Sequence, residues 1–172
     1  MIRIRTAVPE DLDDIMRNYA CARAYMIETG NATQWGKNHP ARELIEEDIA
    51  NGIGFVGIGE DGQVCCVFAF ILGDDPSYGQ IEGAWLNDEP YGTIHRLASD
   101  GTQRGAFSAC LSFCKERCAN IRADTHTNNL TMQHLFEKHG FIKCGMVIVE
   151  DGTPRIAYQL ANGEGSSLRT HD

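Results

Sequence analysis

The chain has 172 residues, 42% of them hydrophobic, which is about one domain's worth of sequence and enough for a single buried core. Its formal net charge of −9 argues against nucleic acid or an anionic membrane as a partner, because both repel an acidic surface. The charge favours cationic substrates, and the alternative is that it only keeps the protein soluble. No apolar run approaches the roughly 18 residues that span a bilayer, and the start MIRIRT lacks the apolar stretch of a signal peptide, so we expect a cytoplasmic protein.

The first forty residues predict a strand, a helix and a loop. Residues 2–6 alternate between apolar and charged side chains, as a half-buried strand does. A helix begins at Pro9 and continues to about Glu28, with Gly30 as its stop. The segment 31–40 is polar and carries a tryptophan, which predicts a loop.

A short helix and two strands come next. The helix spans residues 41–50, and its acidic run 46–48 predicts a solvated face. The strands span 53–59 and 64–72, and the residues Glu60-Asp61-Gly62 between them are typical of a tight turn. Because the second strand is almost wholly apolar, we expect it to be a central strand covered on both faces.

The segment between the apolar strand and residue 93 has no clear periodicity. Asp74-Asp75-Pro76 ends the apolar strand, and residues 78–90 predict irregular structure. A strand at 93–98 is followed by a helix at 105–119 and a strand at 121–125.

The last part of the chain predicts a helix at 129–139 and a hairpin of strands 141–149 and 153–160. The tail 161–172 has too little apolar content to fold, so we expect a flexible tail after one domain formed by residues 1–160. The elements together predict a mixed α/β fold with a seven-stranded sheet and helices on both of its faces.

The seven cysteines lie in helix- and strand-like runs, which predicts reduced thiols. Cys110, Cys114 and Cys118 recur every four residues and would share one face of a helix. Apolar neighbours and the absence of a Cys-x-x-Cys pair favour packing in the core. A cysteine-based metal or redox protein is the alternative.

Two patterns follow the strand at 93–98. The first is Arg104-Gly105-Ala106-Phe107-Ser108-Ala109, at the start of a helix, where free backbone amides and the helix N-terminus make an anion site. The second consists of Asn129, Met132, Leu135, Phe136, Lys138, Gly140 and Phe141.

These patterns resemble two motifs of the GNAT superfamily of N-acetyltransferases. One is its acetyl-coenzyme A loop, Gln/Arg-x-x-Gly-x-Gly/Ala, and the other is Asn-x-x-Ala-x-x-Leu-Tyr-x-Lys-x-Gly-Phe. The start of the chain, Ile-Arg-x-Ala-x-Pro-x-Asp-x-x-x-Ile, also resembles the family's first strand and helix. Three positions depart from the motifs: Phe107 replaces a glycine, Met132 a small residue and Phe136 a tyrosine.

The resemblance implies a GNAT-like fold, whose sheet is mostly antiparallel with a splay between its two middle strands, and acetyl-CoA as the cofactor. The cofactor-binding residues it implies are Leu97, Ala98, Arg104, Gly105, Ala106, Phe107, Ser108, Ala109 and Asn129. The ring of Phe107 would block close approach to phosphate unless it points into the core. Asn129 is also a good helix N-cap, and both of its roles can hold together.

The resemblance further implies that the loop 31–40 lines the acceptor groove, with Gln34 and Trp35 binding substrate. The alternative for Trp35 is that it fills the gap between two helices.

Three residues are candidates for the base that removes the ammonium proton: Glu82, His95 and His126. Each of them is also explained as a structural or surface residue. Asp124 either orients one of its neighbours or takes part in helix capping. Phe136 has no proton to give, so the thiolate leaves unassisted or with help from another group such as water, since a thiol pKa is only about 8.5.

We therefore predict an N-acetyltransferase that moves an acetyl group from acetyl-CoA to the amine of a small molecule by direct attack in a ternary complex. A protein or peptide amine is the alternative acceptor. A non-catalytic acyl-CoA-binding or regulatory module is the alternative function, and Phe107 and Phe136 are its main support. Many relatives dimerise, so a homodimer and a monomer both stay open.

Overall fold

The structure, a computed structural model, describes residues 1–161. In that part of the chain it contains four helices and eight strands, so the predicted mixed α/β class is confirmed. The strands are β1 Arg3–Thr6, β2 Gly54–Ile58, β3 Val64–Leu72, β4 Glu82–Gly83, β5 Gly92–Ser99, β6 Asn120–Thr125, β7 Ile142–Ile148 and β8 Pro154–Ala161. The helices are α1 Leu12–Glu28, α2 Arg42–Ala50, α3 Ala106–Lys115 and α4 Leu130–Lys138. Apart from Ala161, which ends β8, the predicted tail lies outside the described residues.

The strands form an open, mostly antiparallel sheet in the order β1-β2-β3-β5-β6-β8-β7-β4. The middle strands β5 and β6 run parallel, and their pairing is limited to Gly92↔Ile121 and Thr93↔Arg122. By contrast, β6 pairs with β8 along all six of its residues. The short pairing of β5 with β6 agrees with the splay that the family resemblance implied.

The sheet has one strand more than the sequence predicted. The additional strand is β4, whose Glu82 pairs with Met146 and whose Gly83 pairs with Gly145 of β7. Two residues are too few to show alternation in the sequence, and this segment was predicted to be irregular. The strand exists because a distant part of the chain supplies its partners.

The described chain divides into two compact units. The first consists of Met1–Ile71 and Ile94–Phe113, and the second of Leu72–Thr93 and the chain from Cys114 onward. Strand β5 and helix α3 therefore contribute residues to both units. No helix within residues 1–161 combines the length and apolar character that crossing a bilayer requires.

The first unit has a core of aliphatic side chains and one tyrosine. They are Ala7, Ile15, Tyr19, Ile45, Val56, Val64, Val67 and Ala98. Strand β3 is buried from Val64 to Phe70, so its predicted burial on both faces is confirmed. Cys110 and Cys114 of α3 are fully buried, as the packing interpretation predicted, whereas Cys118 lies beyond the end of α3 and is partly exposed. Within residues 1–161, no group of three or more His, Cys, Asp and Glu side chains is arranged to hold a metal ion.

The second unit has a core rich in aromatic rings. Its buried residues are Tyr78, Tyr91, Val147 and Ala157, with Ile81, Trp85 and Val149 packed against them. The guanidinium of Arg122, from β6, lies 4.1 Å from the ring centre of Trp85 and 3.9 Å from that of Tyr91. A buried cation between two rings gains cation–π attraction, which offsets part of the cost of removing it from water.

An ion pair fixes the entry of the chain into α1. The guanidinium of Arg5 donates to both carboxylate oxygens of Asp11, at 2.7 and 2.9 Å, and the backbone N–H of Val8 donates to the same carboxylate at 2.9 Å. The hydrogen bond from Arg5 lowers the pKa of Asp11, although burial opposes the shift. The pair therefore ties β1 to the 3-10 turn that precedes α1.

This ion pair makes the stability of the fold depend on pH. The folded-state pKa of Asp11 lies below its unfolded value of about 3.9, so its contribution is fully present above about pH 4 and is lost as the pH falls through the folded pKa. Asp11→Asn should lower the free energy of unfolding at pH 7, and its deficit relative to the wild type should shrink as the pH is lowered to 3. Urea unfolding across this range measures the difference, and a deficit that does not change with pH would contradict it. The exposed neighbour variant Glu10→Gln should stay within about 0.5 kcal/mol of the wild type.

Candidate active site

Strand β5 has a left-handed residue at Arg96. Its φ is +52°, and it is the only non-glycine residue among those described with a positive φ. This conformation costs an L-residue about 1–2 kcal/mol, so the surrounding structure must hold it in place. The kink lies directly before Leu97 and Ala98, two of the predicted cofactor-binding residues.

Two contacts within the first unit hold the kink. The hydroxyl of Tyr19, on α1, donates to the carbonyl oxygen of Arg96 at 2.7 Å. The Arg96 guanidinium donates through Nε and Nη2 to the two carboxylate oxygens of Asp48, on α2, at 3.0 and 2.7 Å. Burial raises the pKa of Tyr19, so its hydroxyl remains a neutral donor. The backbone and the side chain of Arg96 are therefore fixed by two different helices.

The predicted solvated face of α2 is wrong at one residue. Glu46 and Glu47 are exposed, but Asp48 is only 5% exposed. Asp48 lies three residues after the buried Ile45, so both belong to the same face of the helix. This spacing is visible in the sequence, whereas its partner Arg96 is 48 residues away and is not.

The loop after β5 is held by Asp100. Its carboxylate accepts hydrogen bonds from the Thr102 backbone N–H at 3.0 Å and hydroxyl at 2.6 Å, and from the Arg17 guanidinium at 3.0 Å. Burial acts against ionisation, but the bonds from Thr102 and Arg17 outweigh it and lower the pKa of Asp100. The loop also requires two glycines, because Gly101 and Gly105 have φ of +77° and +80°.

Helix α3 begins directly after this loop. Its first intrahelical bond runs from the Ala109 N–H to the Gly105 carbonyl at 3.0 Å, so the amides of residues 105–108 have no partner within the helix. Arg104, Gly105 and Ser108 are exposed at this point. Strand, loop and helix start thus form one continuous segment of the first unit that contains Leu97, Ala98 and the predicted anion-binding residues 104–109.

Phe107 meets the condition under which this segment can bind phosphate. It is only 7% exposed, so its ring lies in the interior and does not cover the outer surface of the loop. The backbone amides at the helix start are therefore not blocked by the side chain that replaces the family's glycine.

Asn129 and His126 both shape the entry to α4 in the second unit. The side-chain oxygen of Asn129 accepts the Met132 N–H at 3.0 Å, so the predicted N-cap role is confirmed. His126 accepts the Asn128 N–H on Nδ1 at 3.0 Å, and its carbonyl accepts the Asn129 N–H at 3.0 Å. Burial, followed by the charge of Arg155, lowers the pKa of His126, which keeps the ring neutral at pH 7.

The other two base candidates lie in different settings. Glu82 is exposed on the two-residue edge strand β4, in the second unit. His95 is half-buried in β5, one residue before the kink, in the first unit. The choice among Glu82, His95 and His126 stays a prediction.

The loop between α1 and α2 packs on the residue that holds the kink. The ring of Trp35 meets that of Tyr19 edge to face, with 5.6 Å between the ring centres. Gln34 accepts a hydrogen bond from the Asn31 side chain at 2.9 Å. Trp35 therefore fills the space beside α1, as its alternative interpretation predicted, and substrate binding by Gln34 and Trp35 stays a prediction.

Phe136 takes the place of the family's tyrosine inside a cluster of rings. It is 3% exposed, and its ring centre lies 5.1 Å from that of Phe141 and 4.9 Å from that of Tyr158. In the first unit, sequence reasoning missed the roles of Tyr19 and Asp48, which hold the kink at Arg96. Only the i, i+3 spacing of Ile45 and Asp48 signalled one of them.

Comparison with solved structures identifies close relatives in fold. No family model matches the chain, and no curated protein matches it. An acetyltransferase of the GNAT family from Streptococcus agalactiae is 38% identical, with 95% of this chain and 96% of that chain covered and a TM-score of 0.85. GNAT family acetyltransferases from Bacillus cereus and Listeria monocytogenes share the fold at 21% and 18% identity, with TM-scores of 0.62 and 0.68. The alignments cover 95% and 93% of this chain, and 99% and 94% of those chains.

The Asp48–Arg96 pair provides a test of what holds the kink. Asp48→Ala should lower the free energy of unfolding by about 3 kcal/mol, because it leaves the Arg96 guanidinium, 17% exposed, without its partner. Glu47→Ala, next to it on the exposed face of α2, should change the same quantity by less than about 0.5 kcal/mol. Denaturant unfolding compares the two variants, and equal losses would show that the pair does not stabilise the fold.

Proposed function

The chain belongs to the GNAT family of acetyltransferases, and from this premise we propose that it transfers the acetyl group of acetyl-CoA to the amine of a small molecule by direct attack in a ternary complex. The observation that carries the proposal is the segment formed by the kinked β5, the loop framed by Gly101 and Gly105, and the start of α3. It is the part of the first unit that best fits a phosphorylated ligand.

The start of α3 fits a pyrophosphate for four reasons. The amides of residues 105–108 supply donors, and the helix dipole adds about half a positive charge at the same end. The exposed guanidinium of Arg104 adds a full charge with several donors. Asp100, the carboxylate of this loop, is paired with Arg17, so its negative charge is compensated.

Acetyl-CoA, when bound, supplies the thioester carbon that the amine attacks. The protein's part is to hold the pyrophosphate at residues 104–109 and to extend the pantetheine arm along the backbone of Leu97 and Ala98. An extended ligand gains backbone hydrogen bonds along a strand edge in the way an added strand does. The pairing of β5 with β6 is limited to the first two residues of β5, which supports this assignment.

Three residues are candidates for the base that removes the ammonium proton of the acceptor. His126 has a lowered pKa and is a candidate base, but because its Nδ1 accepts the Asn128 amide, Nε2 carries the proton of the neutral ring, and a further proton would have to go to Nδ1 in place of that hydrogen bond. Glu82 and His95 remain the other candidates. The leaving thiolate takes its proton from water, because Phe136 is a buried phenyl ring without an exchangeable proton.

A non-catalytic acyl-CoA-binding module is the second candidate function. The specific observation in its favour is that Phe136, at the place of the family's tyrosine, packs tightly between Phe141 and Tyr158. Such a module would bind acetyl-CoA and release no thiol in the presence of amines.

Ligand binding and turnover separate these functions. Acetyl-CoA at about 100 times its dissociation constant should stabilise the fold by about 2.7 kcal/mol, seen as a raised unfolding midpoint. Release of free thiol from the same sample on addition of a primary amine would support the transferase. A raised midpoint without thiol release from any amine would favour the binding module, and an unchanged midpoint would overturn cofactor binding.

The loop assignment has its own test in a pair of glycine variants. Gly105 and Gly152 have φ of +80° and +82°, and a β-carbon at either position meets no atom within 4 Å. Valine should therefore destabilise the two positions similarly, by about 1–2 kcal/mol, through backbone strain. Only Gly105→Val should also weaken acetyl-CoA binding, by about tenfold or more, since it disturbs the amides at the start of α3. Calorimetric titration measures both affinities, and equal affinities in the two variants would contradict the assignment.

A further inference from the structure

Two buried polar atoms of the second unit are left without a hydrogen bond. They are the Thr93 hydroxyl oxygen and the Arg122 Nε, neither of which has a partner among the described residues. Thr93 is 1% exposed and Arg122 is 4% exposed. Buried polar groups without a partner are rare in folded proteins, and each of them calls for an explanation such as a bound water, ion or ligand.

The two atoms belong to neighbouring positions of the sheet. Thr93 of β5 pairs in register with Arg122 of β6, so both side chains leave the same face of the sheet. The Arg122 Nε–H can only donate a hydrogen bond, and the Thr93 hydroxyl is able to donate one as well. Two neighbouring donors that do not bond to each other fit a ligand group that accepts hydrogen bonds.

The guanidinium of Arg122 is held in one orientation. It lies 4.1 Å from the ring centre of Trp85 and 3.9 Å from that of Tyr91, and its Nη2 donates to the Asn87 carbonyl at 3.0 Å. The rings fix the plane of the group, and the hydrogen bond fixes its rotation within that plane. The direction of the Nε–H is therefore set before a ligand arrives, which is what a preorganised binding group requires.

The positive charge of Arg122 is not neutralised by an ion pair. No carboxylate of the described residues pairs with it. Asp124, two residues further along the same face of β6, instead accepts the Tyr78 hydroxyl at 2.6 Å. A buried charge without a partner is costly, so an anionic acceptor stabilises this position more than a neutral one such as water does.

A loop covers Arg122 on the side of the two rings. Trp85, Asn87 and Tyr91 all belong to residues 84–91, which form neither helix nor strand. Trp85 and Asn87 are partly exposed. A ligand therefore reaches Arg122 by displacing an irregular segment, without breaking the pairing of β6 with β8.

We propose that Thr93 and Arg122 form a site for a carboxylate group, with one oxygen accepting the Arg122 Nε–H and the other the Thr93 hydroxyl. Hydrogen bonds between arginine and a carboxylate are charge-assisted and stronger than neutral ones. The carboxylate has two sources, the acceptor itself or a free carboxylate ion. The first makes the acceptor an amino acid and rests on the proposed function, whereas the binding of a carboxylate does not. An amino acid has no net charge, so the acidic protein does not repel it.

Calorimetric titration of the protein with acetate and with 3-phenylpropanoate tests the site directly. Both carboxylates should bind about tenfold or more tightly than their neutral amides, acetamide and 3-phenylpropanamide. Arg122→Met keeps apolar volume between the two rings but removes the charge and the Nε–H, and it should weaken carboxylate binding by about 10- to 100-fold. Absence of carboxylate binding to the wild type, or equal affinity in the variant, would overturn the site and leave the two atoms to a buried water only.

A second variant separates ligand binding from folding. The Thr93 hydroxyl has no partner among the described residues, so Thr93→Val removes no hydrogen bond and should leave the unfolding midpoint unchanged or raised. It should still weaken carboxylate binding by about 3- to 10-fold. Thr125→Val is the matched control, because Thr125 is also 1% exposed but lies on the opposite face of β6 from Arg122, and its carboxylate affinity should stay within about twofold of the wild type. A lowered midpoint in Thr93→Val with unchanged carboxylate affinity would show that the hydroxyl is structural and would overturn its part in the site.

Thiol release distinguishes the two sources of the carboxylate. Phenylalanine, lysine and methionine are compared with the amines that lack only the carboxylate: 2-phenylethylamine, 1,5-diaminopentane and 3-(methylthio)propylamine. If the acceptor supplies the carboxylate, kcat/KM should be about tenfold or more higher for an amino acid than for its amine, and this ratio should fall to about one in Arg122→Met.

The remaining outcomes keep the site and the proposed function apart. Equal kcat/KM within each pair, together with acetate binding, would assign the site to a free carboxylate ion and overturn the amino-acid acceptor. Carboxylate binding without thiol release from any amine would contradict the transferase but support the carboxylate site.

Discussion

A left-handed residue in the middle of a strand costs about 1–2 kcal/mol, and Arg96 retains this conformation because two helices hold it. Tyr19 binds the carbonyl of Arg96 from α1, and Asp48 binds its guanidinium from α2. Trp35, in the loop between these helices, packs on Tyr19. The direction in which β5 continues through Leu97 therefore depends on how α1, α2 and their connecting loop are packed.

The charged side chains around the start of α3 are arranged to favour an anion. A helix N-terminus attracts anions, and a carboxylate in the preceding loop would oppose that attraction unless it were neutralised. Arg17 lies 3.0 Å from Asp100 and provides this neutralisation. Although the chain as a whole is acidic, the exposed charge that Arg104 presents at the start of α3 is positive. The start of α3 is therefore locally cationic in a protein that is acidic as a whole.

The second unit shows how a polar group is held within an aromatic core. Arg122 is stacked between Trp85 and Tyr91, and Tyr78 uses its hydroxyl on Asp124. Buried polar groups of this kind cost free energy when they lose a partner, so their geometry is well defined when the partner is present.

The sequence by itself determined most of the elements, and it predicted the cofactor segment, because both depend on neighbours in the chain. Periodicity located the four helices and seven of the eight strands, and the spacing of Arg104 and Asn129 from the residues after them identified both motifs. The tertiary structure alone decided the strand at Glu82 and the pairs Asp48–Arg96 and Tyr78–Asp124. In those pairs the partners lie 48 and 46 residues apart, and no local pattern records which distant side chain a carboxylate will meet.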